Sequence, residues 1–275
     1  MAQRLYNLAE SWHLLSLDAP TVAALWSWFF VRAMHLRLSL IQALLLPLGT
    51  WLLYVADRIL DGLRHPQGEL LRERHHFHAR HRTAFLLAAS FLGVLWVWFI
   101  FTRMRPEAFR DDSWIGLFAL LYLLAVHCRV PGLPKELVVG ILFAAATAVP
   151  AWSRLSAGSL FGKEQLAPAI LFFALLCWIN CVGIDKWEGG NRPHAMTRWA
   201  GLHLRPIVTM IAFFSLAAAL LAPSRGLMAV YLAALLSSGL LFALDVRSSH
   251  LSPLHLRIAA DAALLTPLAL FPFTR

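Results

Sequence analysis

A membrane-crossing helix needs about 20 mostly apolar residues. Nine stretches of the chain approach that length, at 18–34, 38–60, 83–102, 114–130, 136–152, 167–184, 204–222, 226–244 and 255–272. Such runs exclude most folds that stand in water. The composition agrees: 59% of the residues are apolar and 14% charged, against about 45–50% and about 25% in soluble domains. A soluble enzyme and a disordered chain are both poor readings. The expected fold is all-α, one integral-membrane domain over residues 1–275. The first stretch is the weakest, because Asp18-Ala19-Pro20 interrupts its start, although proline is tolerated in a helix's first turn. Pro47, Pro168 and Pro267 fall within or near spans, where neighbouring helices re-satisfy freed backbone groups. The first 17 residues carry Glu10 and lack a clean apolar core, so they do not read as a cleaved signal.

The formal charge is +9. In a soluble protein this suggests nucleic acid; between membrane spans it sets orientation. Nine crossings put the loops after spans 2, 4, 6 and 8 on the side of the N-terminus. Most of the 24 Lys and Arg residues fall there. That side is therefore expected to be cytoplasmic, with no nucleic-acid partner. Cys128, Cys177 and Cys181 lie in apolar stretches and give no disulfide framework or paired metal-ligand spacing.

Span 2 ends in Tyr54-Val55-Ala56-Asp57-Arg58-Ile59-Leu60-Asp61. Asp57 and Asp61 share a helix face, as does Tyr54. Acids at such a position usually face a protein cavity. Stacked carboxylates suit Mg²⁺ shared with a substrate's phosphates. The plainer reading is a solvated helix end, with Arg58 and Arg64 as ion partners.

The following loop crowds Arg64, Arg72, Arg74, Arg80 and Arg82 with His65, His75, His76, His78 and His81. Arginine recognises phosphate through paired hydrogen bonds, so one role is an anion clamp. Transition-metal binding by imidazole and contact with anionic lipid heads are the others.

Span 6 ends in Asn180-Cys181-Val182-Gly183-Ile184-Asp185-Lys186-Trp187-Glu188. Asp185 and Glu188 share a face and could form a second cation site, or simply sit in water beside Lys186. Asn180 lies deeper, and a buried amide needs partners. Lys135, before span 5, reaches a phosphate or snorkels to the interface. Asp261, inside span 9, reads as facing a cavity or as paired with Arg257 one turn away.

Together these features resemble the UbiA superfamily of intramembrane prenyltransferases. That family has nine helices around a central cavity and two aspartate-rich motifs, after helices 2 and 6. Asp57 and Asp61 match the last two aspartates of the first motif's N-D-x-x-D-x-x-x-D, with Leu53 and Tyr54 in the leading N-D positions. Asn180, Asp185 and Glu188 stand for a reduced second motif. Lys135 matches a lysine preceding helix 5. The resemblance implies transfer of a prenyl group from an isoprenyl diphosphate to an aromatic or other lipophilic acceptor. It implies Mg²⁺ held by Asp57, Asp61, Asp185 and Glu188, with Asp57, Asp61 and Asp185 catalytic. Arg64, Arg72, Lys135, Asn180 and Tyr54 would bind substrate. The expected setting is a bacterial-type cell membrane and its lipids. A terpene cyclase of the same superfamily, or a degenerate lipid- or partner-binding homologue, is the alternative.

Overall fold

The computed structural model describes residues 2–64, 73–128, 130, 132–155, 160–189 and 194–274; side chains are described for these except 2–7, 61–64, 73–75, 127, 160 and 161. The described residues are helical, with no strand. Among the described residues, six segments are long and apolar enough to cross a membrane: Leu40–Leu60, Arg82–Arg103, Lys135–Trp152, Gly162–Trp187, Arg225–Val246 and Pro253–Thr274. Two bent helix pairs raise the number to as many as eight if each pair is one span. These elements fit a multi-pass integral membrane protein.

The chain divides into two compact units, Met1–Ala24 with Ser39–Arg105 and Leu25–Leu38 with Pro106–Arg275. The first holds α1 (Ala2–Leu14), the start of α2 (Asp18–Ala33), α3 (Leu40–Arg64), α4 (Glu73–Arg80) and α5 (Arg82–Arg103). The segment Leu8–Leu14 meets α2 at 93°. Ser16 makes this corner with φ +63°, a left-handed conformation that few non-glycine residues adopt. The expected first span at 18–34 is therefore the second arm of a bent pair. His13 Nδ1 lies 2.5 Å from Asp18 Oδ2, tying the two arms together. Further along, Trp96 of α5 packs so closely on Gly49 of α3 that a Cβ there would lie 2.9 Å from the indole. The indole N–H donates to the Leu45 carbonyl at 2.8 Å.

The second unit holds the rest of α2, then α6 (Pro106–His127), α7 (Lys135–Trp152), α8 (Leu160–Trp187), α9 (Ala195–Leu202) and α10 (Leu204–Leu220). After these come α11 (Arg225–Val246), α12 (Pro253–Ala262) and α13 (Pro267–Leu270). Its packing follows from small side chains. In lipid, helices associate through close backbone approach rather than the hydrophobic effect. The buried face of α11 runs Gly226, Ala229, Val230, Ala233, Ala234, Ser237, Ser238 and Leu241, recurring every three to four residues. Gly226 abuts the backbone of Ala33 in α2, and Gly140 of α7 abuts the backbone of Trp178 in α8. Trp26 fills the remaining space, stacked on Phe173 with centroids 4.2 Å apart, and its indole N–H donates to the Leu264 carbonyl at 2.7 Å.

Three expected spans differ in detail. The span expected at 114–130 belongs to α6, which starts with Glu107, Arg110, Asp111 and Asp112. Only residues 113–126 are free of charge, a rise of about 21 Å at about 1.5 Å per residue. That is short of a bilayer's hydrocarbon core of about 30 Å. The Asp112 carboxyl is pushed up to about 7, by burial first and by neighbouring Asp111 second. The span expected at 204–222 is one arm of the second bent pair, Ala195–Leu202 with Leu204–Leu220, at 77°. The last span is not one helix: Pro267 begins α13 at a helix N-terminus, where its missing N–H costs nothing.

Candidate functional site

The acids expected at helix ends are found there, in both units. In the first unit, Asp57 is half-buried in the last two turns of α3. Tyr54, one turn earlier, has the Arg58 guanidinium 5.8 Å from its ring centroid. Asp61 and Arg64 belong to the same helix, but their side chains lie outside the described residues, as does all of Arg72.

Arg58 departs from the expectation of a solvated ion partner. It is 4% exposed and donates to the Ser16 hydroxyl at the α1–α2 corner. Ser16 Oγ also lies 3.1 Å from His78 Nε2. A guanidinium only donates, so Ser16 Oγ accepts from Arg58, and the direction of its bond to His78 follows the imidazole tautomer. His78 is fully buried and stacks on Phe85 at 4.0 Å. Part of the expected basic loop is thus helix α4, pinned at His78, while His76 and His81 are exposed.

In the second unit, Asp185 lines a shallow cleft of about 330 Å³ with Val182, Lys186, Gly189, Thr197, Arg198, Gly201 and Leu202. Acid and cations share its wall. The exposed Lys135 opens α7 nearby in sequence to Glu136, whose carboxylate accepts from the buried Thr197 hydroxyl at 2.5 Å. Glu188, three residues from Asp185, goes elsewhere. Both its oxygens accept from Arg257 Nη1, at 2.9 and 3.0 Å. The expected metal ligand is therefore half of an ion pair between the end of α8 and α12. Arg257 is also the residue the sequence offered to Asp261. Asp261 instead accepts from Asn180 Nδ2 at 3.2 Å.

Sequence reasoning missed a fully engaged acid of this unit. Asp245, near the end of α11, is 1% exposed at its side chain. Its Oδ1 accepts from Lys186 Nζ at 2.8 Å and from Trp187 Nε1 at 3.0 Å. Its Oδ2 accepts from Arg205 Nε at 2.8 Å. The available signal was the one used for Asp61, an acid closing an apolar run. Arg205, Glu136 and Thr197 were missed as well, because their partners lie 40 to 61 residues away.

Compared with protein-family models, with curated proteins and with solved structures, the chain matches none.

Proposed function

We propose that the chain is an intramembrane enzyme of prenyl transfer, with nine crossings arranged as in the UbiA superfamily. It would move a prenyl group from an isoprenyl diphosphate to a lipophilic acceptor. The observation that carries this reading is the Asp185 cleft: a carboxylate beside Lys186 and Arg198, at the end of a 26-residue apolar span. A diphosphate on a hydrocarbon tail needs that combination, cations and hard oxygen donors at one end of an apolar helix.

Each acid of this reading, taken singly, is a donor of the kind that Mg²⁺ takes. Asp57, Asp61 and Asp185 are hard oxygen ligands at helix ends, whereas Glu188 is committed to Arg257. Mg²⁺, when bound, would neutralise charge developing on the departing diphosphate. The chain's own contribution is separate. Arg198 and Lys135, both exposed, attract and orient the anionic head, while apolar helix surface holds the tail and excludes water from the allylic cation.

Asp57→Asn, Asp61→Asn and Asp185→Asn are each expected to lower diphosphate release at least about 100-fold, the scale of losing one electrostatic contact to a transition state. The assay is release of inorganic diphosphate by purified protein from a labelled isoprenyl diphosphate. Unchanged release in all three variants overturns the reading. Product formed without any acceptor identifies a cyclase instead. Binding without release identifies a degenerate homologue.

The reading also requires α6 to cross, so that the ends of α3 and α8 share one side. The raised pKa of Asp112 lowers the charge at its start. In a background with Cys128, Cys177 and Cys181 replaced by alanine, Arg103→Cys and Val130→Cys are expected to react with an impermeant thiol reagent from opposite faces. Labelling from the same face removes α6 from the crossings and sinks the nine-span arrangement.

A further inference from the structure

α9 meets α10 at 77°, with the break at His203. Residues 206–222, most of them in α10, carry no charge. Met210, Phe213, Phe214 and Leu220 of α10 are each more than half exposed, as side chains facing lipid are. Membrane helices tilt about 20° from the bilayer normal on average. A helix at 77° to such a span lies closer to the membrane plane than to its normal.

α9 has two unlike faces. The inner one is pinned to neighbouring helices. The Thr197 hydroxyl donates to Glu136 of α7 at 2.5 Å, Ala200 is fully buried, and a Cβ at Gly201 would lie 3.8 Å from the Lys186 Cβ of α8. The outer face carries Met196, Trp199 and Leu202, at 41%, 53% and 77% exposure. Residues three apart are neighbours on a helix surface, so the three form one apolar stripe. An open apolar stripe of this kind marks an interaction surface.

Two observations identify what covers it. Leu202 stands at the bend, where the exposed apolar surface of α10 begins, so the stripe continues a lipid-facing surface. The surrounding charge is of one sign. From Gly189 to Leu244 the chain has no acidic residue, while His194, Arg198, His203 and Arg205 flank or belong to α9. Basic residues beside a stripe with a tryptophan suit a helix lying in the bilayer surface, where anionic head groups attract them.

We propose that α9 is an interfacial helix, lying in the membrane surface beside its own span. Met196, Trp199 and Leu202 sit among the outer acyl chains, and Arg198 sits at the lipid phosphates. The Asp185 cleft, which Arg198 and Leu202 help to line, then opens at the level of the head groups. The arrangement rests on α9 and α10 alone and holds whatever the cleft binds.

The test is the depth of a nitroxide, read from its collisions with oxygen and with a water-soluble nickel chelate. The full-length protein, with its three cysteines replaced by alanine, is placed in nanodiscs of phosphatidylglycerol and phosphatidylcholine that hold one chain each. Labels at Met196→Cys, Trp199→Cys and Leu202→Cys are expected at similar depths, about 5–10 Å inside the headgroup boundary. Arg198→Cys is expected at the boundary itself. The exposed Phe213 of α10 and Ser249, after α11, supply the lipid and water references as Phe213→Cys and Ser249→Cys. Nickel collisions at the stripe as frequent as at Ser249→Cys overturn the proposal, the result if a protein partner or a second copy covers it instead. A steady change in depth of about 9 Å from Met196→Cys to Leu202→Cys, six residues at about 1.5 Å each, overturns it too, because α9 would then run along the normal as a re-entrant arm.

Discussion

The Lys186→Met, Arg205→Met double variant is expected to lose about 3–5 kcal/mol of stability, the scale of leaving a buried charge without its partners. Each single change is expected to cost about 1 kcal/mol. The reason is an asymmetry in burial. The Asp245 side chain is 1% exposed, while Lys186 and Arg205 are 38% and 54% exposed. Either cation can return to solvent when its partner is lost, but the carboxylate cannot. One remaining cation, with the Trp187 indole, still satisfies it; without both cations, only the indole is left. Thermal unfolding in detergent, arranged as a double-mutant cycle, measures the excess over additivity. Adding Asp245→Asn to the double variant is expected to restore most of the loss. Additive singles, or no rescue, would show that Asp245 is stabilised by something other than these two cations.

Gly226→Ala is expected to destabilise by about 3 kcal/mol, at the upper end of overpacking effects. A Cβ at Gly226 would lie 2.3 Å from the Ala33 carbonyl oxygen and 2.7 Å from its Cα. Both are backbone atoms, so no rotamer relieves the clash and α2 must move away from α11. Gly239 in the same helix is the control, because a Cβ there meets nothing within 4 Å. Gly239→Ala is expected to be neutral, or stabilising by up to about 1 kcal/mol through helix propensity. Melting temperatures of the two variants decide the matter. If both shift equally, the α2–α11 approach is not the cause.

Much of the helical layout was legible, because apolar length is a local property. The expected 38–60 and 83–102 correspond to Leu40–Leu60 and Arg82–Arg103. The two corners were not legible. Ser16 carries no glycine signal for its positive φ, and the break at His203 is followed by Pro206, which reads as an ordinary helix start. α6 reads as a full-length span in the sequence because its charges precede the apolar stretch of 113–126 instead of interrupting it.

The candidate site was legible by halves. Asp57, Asp185 and Asn180 stood out as polar groups at or within apolar runs. Their partners did not: Asp185 and Glu188 share a helix face, yet one lines the cleft and the other takes Arg257. Spacing within a helix tells which side chains point the same way. It does not tell what another helix, 69 residues on, brings to meet them.

The Arg58–Ser16–His78 contact also implies an order of events during synthesis. Ser16 precedes Arg58 by 42 residues, so the hydroxyl is already made when α3 leaves the ribosome. His78 follows 20 residues after Arg58 (78 − 58). A guanidinium at the end of an apolar helix resists burial until it is paired. The corner at Ser16 can therefore shelter Arg58 as soon as α3 emerges. The imidazole then closes the contact from the other side, and α4 is docked last, onto a surface its predecessors have already formed.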